Sequence, residues 1–188
     1  MTSLTKSRNH QGLVAQLSIV KYMTIEEVIP FLYEQGKVPA ILVLDGIEDV
    51  RNIGALIRSA VWFDIHAILI PTKGSAQINA FTYKASVGAI KDIIICRESS
   101  ITKALQFLKD SGVKLVAATM ESSSAIKMEE LKEPIALILG SEGRGVSREV
   151  LELSDGSMSI QGSKKVESLN VSVAGAILMH ELYKIRNN

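Results

Sequence analysis

The sequence predicts an α/β domain, a mostly parallel sheet with helices on both faces. Three observations predict it. From residue 40 onward, short runs of Ile, Leu, Val and Ala alternate with amphipathic segments of helical period. The strand-like runs are apolar throughout, as strands buried on both faces are. Aromatic residues make up only 5% of the 188, so aliphatic side chains must build the core. A chain of this length suits one such domain and is short for two.

The elements follow in order. Residues 1–20 are polar, with Lys6, Arg8 and His10, and lack the apolar core of a signal peptide; they read as a linker feeding a domain over residues 21–188. Thr24 followed by Glu27 reads as a capping box, opening a helix that Pro30 would kink or restart. Residues 40–45, apolar and closed by Asp-Gly, read as a buried strand. Ile53, Leu56, Ile57, Ala60 and Val61 then share one helical face, with Asn52 as the N-cap. Further strands are expected at 66–70, 92–96, 114–118 and 134–139, and a weaker one at 157–160. Ile101, Ala104, Leu105 and Leu108 mark a helix capped by Ser99 or Ser100 and stopped by Gly112. Residues 146–153 predict another. Phe31, Trp62 and Phe107 lie in helical patterns and are expected in the core. The last helix, residues 170–185, carries Val171, Val173, Ala174, Ile177, Leu178, Leu182 and Ile185. That face is wider than one internal contact needs, so part of it is expected to meet a second subunit in a homodimer.

Composition narrows the function classes. A net charge of +1 gives no general attraction to nucleic acid, so any RNA contact must be local or supplied by a partner domain. No apolar run reaches the ~18–20 residues of a membrane span. The single cysteine, Cys96, excludes an intramolecular disulfide and argues against a cysteine-held zinc; within Ile93-Ile94-Ile95-Cys96 it reads as a small core residue. Such cysteine usage fits a cytoplasmic setting. His10, His66 and His180 have no metal-ligand spacing, so no metal is expected, and no Ser-His-Asp or Cys-His arrangement is present.

In a parallel sheet, ligands sit at the carboxyl ends of the strands. The polar motifs fall there, at 45–52, 119–124, 140–145 and 161–170. Within Asp49-Val50-Arg51-Asn52-Ile53-Gly54-Ala55-Leu56-Ile57-Arg58, Arg58 lies ~9 Å along the axis from Asn52 and off the apolar stripe. A capped helix with a solvated arginine accounts for this segment about as well as a site does. Gly54-Ala55 tilts the balance, because small residues let a backbone or ligand come close. Gly140-Ser141-Glu142-Gly143-Arg144-Gly145 is not a dinucleotide fingerprint: its glycines are wrongly spaced, and Glu142 would repel a pyrophosphate. Ser168, Asn170 and Ser172 crowd a helix start where one cap suffices, so that start is expected to hold something besides its own backbone.

Together these segments resemble the SpoU (TrmH-type) family of RNA ribose 2′-O-methyltransferases. The first resembles its N-x-G-A-x-x-R motif, the second its G-x-E-G-x-G loop, and Ser168-Leu169-Asn170-Val171-Ser172-Val173-Ala174 its S-L-N-V-S-V-A ending. The likeness runs from about Asn9 and is strongest to bacterial enzymes that methylate a guanosine of large-subunit ribosomal RNA, with transfer RNA as the alternative substrate. In those, a segment like His10-Gln11-Gly12 follows a small RNA-binding domain, so this chain resembles a catalytic domain alone. Val50 stands where the family has proline, and Ile160-Gln161-Gly162-Ser163-Lys164 replaces its I-P-M-x-G. The resemblance implies a C-terminal deep trefoil knot, a homodimer and S-adenosylmethionine as cofactor. It implies cofactor contacts at Thr119, Met120, Gly140, Glu142, Gly145, Ile160, Ser168 and Leu169, and a catalytic set of Arg58, Asn52, Ser168, Asn170 and Glu142. Arg58 would either act as the base or clamp a phosphate, since a guanidinium yields its proton reluctantly. The rival classes are a catalytically inactive RNA-binding homologue and a dinucleotide oxidoreductase; binding of S-adenosylmethionine against NAD separates them.

Overall fold

The computed structural model describes residues 20–76, 78–120, 124–163 and 165–188. Of the expected linker, only Val20 falls among them; His10-Gln11-Gly12 and the middle of the 119–124 motif lie outside. Seven strands form one sheet in which every pairing is parallel. In chain order they are β1 (Tyr22–Met23), β2 (Ala40–Asp45), β3 (Ala67–Pro71), β4 (Ile94–Glu98), β5 (Lys114–Ala118), β6 (Ile135–Gly140) and β7 (Gly156–Met158). Their order across the sheet is β1-β4-β3-β2-β6-β5-β7. The predicted strands are all present, with ends shifted by a residue or two; β7 is shorter than expected, and β1 was not legible at two residues.

Among the described residues six α-helices cover the sheet: α1 (Ile25–Glu34), α2 (Val50–Trp62), α3 (Ala80–Ala85), α4 (Ile101–Asp110), α5 (Arg148–Leu153) and α6 (Val171–Asn187). Side chains alternate across each strand, so β2 sends Leu42 and Leu44 into one apolar cluster and Ile41 and Val43 into the other. The first cluster joins α2 and α6 to the sheet; the second joins α1, α4 and α5. Helices on both faces are therefore as predicted. Within the first cluster, a side chain at Gly175 of α6 would stand 2.5 Å from Leu56 and 2.7 Å from Leu139, so glycine lets α6 settle on α2 and β6. No helix among the described residues is long and apolar enough to cross a membrane.

Three expectations need correction. Pro30 does not restart α1, which runs through it. Pro30 is on the exposed side, so the carbonyl it leaves without an amide faces water, while Ile25, Val28, Ile29 and Leu32 anchor the helix. Trp62 is 80% exposed and Phe31 46% exposed rather than in the core. Trp62 lies nine residues beyond Ile53, about half a revolution from the buried stripe at 100° per residue. Phe107 is partly buried against the second cluster, and Cys96 is buried as expected, with its thiol pushed up to about 12 by burial. Such a thiol is a packing residue and no nucleophile.

Candidate active site

The carboxyl ends of β2, β6, β5 and β7 are contiguous, and β2–β6 is where successive connections change direction across the sheet. The four polar motifs of the sequence leave from these ends. A crevice at such a reversal is where open parallel sheets bind ligands.

At β2, Asp45 accepts a hydrogen bond from Ser147 N at 2.7 Å and so fastens the chain leaving the 140–145 loop. The helix that follows is capped by Asp49, correcting the expected Asn52. Asp49 Oδ1 accepts from Arg51 N at 2.8 Å, and the Arg51 guanidinium closes on the same carboxylate at 2.7 Å. That guanidinium holds the Asp49 carboxyl below its ordinary range. Asn52 stands in the first turn instead, and its side chain is free to reach sideways. Its Nδ2 donates to Glu142 Oε1 at 3.0 Å.

Glu142 sits in a loop folded back on itself. Ser141 N donates to Gly145 O at 3.1 Å, and Gly145 N returns to Ser141 O at 2.9 Å. Gly143 and Gly145 have φ of +88° and +68°, the left-handed region where a side chain is costly. A side chain at Gly140 would overlap the backbone of Gly145 and Val146. The glycine spacing therefore closes a tight loop that aims Glu142 across the strand ends.

Asn170 caps α6 from the other side. Its Oδ1 accepts from Ser172 N at 2.9 Å, from Ser172 Oγ at 2.6 Å and from Val173 N at 3.4 Å. Its Nδ2 donates to Glu142 Oε1 at 2.6 Å and to Asn52 Oδ1 at 3.1 Å. Val171 N also points at Glu142 Oε1, at 3.4 Å, so a carboxylate lies at a helix N-terminus where the dipole favours it. Asn52, Glu142 and Asn170 are thus one hydrogen-bonded group joining α2, the β6 loop and α6. Ser172 belongs to it too, a member the sequence had marked only as an extra polar residue.

The structure leaves the other predicted residues apart from this group. The side chains of Arg58 and Ser168 are exposed and make no hydrogen bond or ion pair among the described residues. Arg58 is about 1.7 helical turns from Asn52, on the face opposite the buried stripe. At β5, Thr119 N donates to Met158 O at 2.9 Å, joining that loop to β7, and Thr119 Oγ1 is buried without a partner among the described residues. Met120 and Leu169 are 70% and 44% exposed, whereas Ile160 packs partly against the first apolar cluster. An orphaned hydroxyl beside exposed apolar side chains, at the end of a parallel sheet, fits a nucleoside-sized ligand with both polar and apolar edges.

A separate cavity of about 250 Å³, lined by Lys37, Phe63, His66, Tyr183 and Arg186 among others, lies at the opposite, amino end of the strands. Two of its polar side chains are spent internally. Arg186 donates to the carbonyls of Glu133 at 2.7 Å and Val38 at 2.6 Å, and His66 Nδ1 accepts Ala40 N at 3.0 Å. Among the described residues no group of three or more His, Cys, Asp or Glu side chains could hold a metal ion.

Known proteins resemble this chain in sequence and in fold. Residues 39–180 match the SpoU rRNA Methylase family. The chain is 34% identical over 177 residues to the 23S rRNA (guanosine-2′-O-)-methyltransferase of Yersinia pestis, covering 94% of this chain and 72% of that protein. It is 31% identical to an uncharacterized tRNA/rRNA methyltransferase of Synechocystis, spanning 99% of this chain but only 48% of that one. The crystal structure of an S-adenosylmethionine-bound rRNA methyltransferase from Sinorhizobium meliloti shares the fold, with a TM-score of 0.75 at 20% identity over 87% of this chain and 61% of that chain.

Proposed function

The chain belongs to the SpoU rRNA methylase family, and on that premise we propose that it transfers a methyl group from S-adenosylmethionine to a ribose 2′-hydroxyl of RNA, most concretely to a guanosine of large-subunit ribosomal RNA. The observation that carries the reading is the Asn52–Glu142–Asn170 group, which closes three separate motifs on one another at the strand ends. The donor supplies, when bound, a methyl group already activated on a sulfonium, and needs no metal.

The chain's own residues do the rest. Thr119 Oγ1, Met120, the backbone of the 140–145 loop, Ile160 and Leu169 hold the nucleoside, giving the orphaned hydroxyl a partner and the exposed apolar side chains cover. Asn52, Glu142 and Asn170 are positioning residues: their hydrogen bonds are already made among themselves, and they fix α2 against α6. Ser168, exposed and unpaired, is available to the ribose. Arg58 carries an uncompensated charge on an exposed helix face, which suits a clamp on the phosphate beside the reacting ribose better than a base. A base would need that charge removed, and a guanidinium resists it. Holding the nucleotide in line is what such a displacement requires.

Further features belong to the same proposal. From β7, at one edge of the sheet, the chain returns past β5 to seat Asn170 against Glu142 and α6 on α2 and β6. That return supports the family's deep trefoil knot. A homodimer is supported by α6, whose Val171, Leu178 and Leu182 are buried internally while Val173, Ile177 and Tyr183 stay exposed, and by Trp62 at the end of α2. A cytoplasmic location is the natural setting for such an enzyme.

The test is methylation mapping of ribosomal and transfer RNA from cells with and without the gene, together with transfer from labelled S-adenosylmethionine in chelator. Loss of one ribose methyl in large-subunit ribosomal RNA is expected. Loss of a transfer-RNA mark would move the substrate, and no binding of S-adenosylmethionine at millimolar concentration would overturn the reading.

A further inference from the structure

The chain segregates its charge in one place. From Ile65 to Lys91 it carries three lysines, Lys73, Lys84 and Lys91, and no carboxylate, although the whole chain has 20. This stretch contains α3 and the loop before it. The loop lies over the approach to α2: Ala76 N and Ser75 Oγ both donate to Ile47 O at 3.2 Å. The helix itself lies on α2, because a side chain at Gly54 would overlap Ala85. Gly54 is two residues from Asn52 and four from Arg58, so α3 flanks the candidate site.

On this flank Phe81 is 74% exposed. Asn79 Oδ1 accepts Phe81 N at 2.9 Å and caps α3, fixing Phe81 in the first turn, one turn before Ala85 on the same side. Tyr83, two residues on, is partly buried and already carries Lys91 over its ring at 5.4 Å. An exposed phenyl ring, held by a capped helix in a stretch whose lysines form no ion pair among the described residues, matches how proteins hold unstacked RNA bases: rings take the base faces and lysines the phosphates.

We infer that Phe81 is a stacking platform for an unpaired RNA base neighbouring the reacting nucleotide, with Lys73 and Lys84 on its phosphates. This rests on the RNA reading above and gives the domain a means of recognition that its net charge of +1 does not.

The test uses the full chain and a fluorescein-labelled single-stranded oligoribonucleotide of mixed sequence, about 20 nucleotides long. Affinity is read by anisotropy across a series of salt concentrations. Phe81→Leu is expected to weaken binding about tenfold and Phe81→Trp to restore it, since stacking tolerates any aromatic ring. Lys84→Ala should lower the slope of log affinity against log salt by about 0.7. Unchanged affinity in Phe81→Leu, or no measurable affinity in the unsubstituted chain at low salt, overturns the inference. So does a Phe81→Leu chain that turns monomeric with its RNA affinity intact, which would make this face a contact between copies. Calorimetry with S-adenosylmethionine separates the two readings: donor binding without a Phe81 effect sinks only this inference, whereas no donor binding sinks the methyltransferase reading itself.

Discussion

Asn170 is asked to do two things at once, and substitutions can separate them. Its Oδ1 caps α6, and its Nδ2 ties that helix to Glu142 and Asn52. Asn170→Ala removes both. Losing the cap costs about 1 kcal/mol, and losing two partly exposed hydrogen bonds adds about 1 kcal/mol more. Asn170→Asp keeps the capping oxygen, deletes both donors and sets a second carboxylate against Glu142, where the lost amide contact was 2.6 Å. At this exposed position the repulsion is about 1 kcal/mol, so the variant should be about 2 kcal/mol less stable. Adding Glu142→Gln reverses the polarity of the pair, because an amide at position 142 donates to a carboxylate at 170. The double variant should recover about 1–1.5 kcal/mol relative to the sum of the singles. Urea denaturation of all four proteins measures this coupling directly. Additive effects within about 0.3 kcal/mol would refute the hydrogen-bonded group as the element joining α6 to the 140–145 loop.

Arg58→Ala should abolish methyl transfer while calorimetry shows S-adenosylmethionine affinity within about threefold of the parent; Arg58→Lys should fail nearly as badly, since lysine offers only a point charge to phosphate. Gly140→Ala should cost about 2–4 kcal/mol in urea denaturation and weaken donor binding, because the new methyl overlaps the Gly145 and Val146 backbone and opens the Ser141–Gly145 pair. His66 is held below its ordinary value of about 6.5 by burial, with Nδ1 accepting Ala40 N. Its stabilising contribution is therefore fully present above pH ~6.5 and is lost as pH falls below that value, when the unfolded chain takes up a proton that the folded chain resists. Urea midpoints at pH 8 and pH 5.5 should differ less in His66→Asn than in the parent.

What the sequence made legible follows from what each signal depends on. The buried strands were readable because an all-apolar run of five or six residues has few other uses, and α4 because Ser100 and Gly112 bracket a clean stripe. The site motifs were readable as types at intervals. Asn52, however, was assigned to the wrong job. Capping propensity does not distinguish it from Asp49 three residues earlier, and only Glu142, 90 residues away, shows why its side chain must stay out of the cap. Trp62 and Phe31 misled because helical period identifies a face only when enough apolar positions agree, and each stands outside its stripe. The exposure of Phe81 had no local signal at all, because it depends on where the first turn of α3 lies relative to the rest of the domain.

The distances along the chain also decide what builds the site. Asn170 meets Asn52 across 118 residues and Glu142 across 28. Closing a loop of the longer span costs about 1.3 kcal/mol more than the shorter one, as much as a net hydrogen bond contributes. The few exposed hydrogen bonds of the polar group therefore leave little with which to recruit α6. Burial of Val171, Leu178, Met179 and Leu182 can, at about 1.5–3 kcal/mol each. The site is assembled by the docking of α6 onto α2 and β6 through aliphatic contacts, and Asn170 then reads that docking out at the strand ends. Loosening the buried face of α6 should accordingly loosen the Asn52–Glu142–Asn170 group, although none of these aliphatic residues belongs to it.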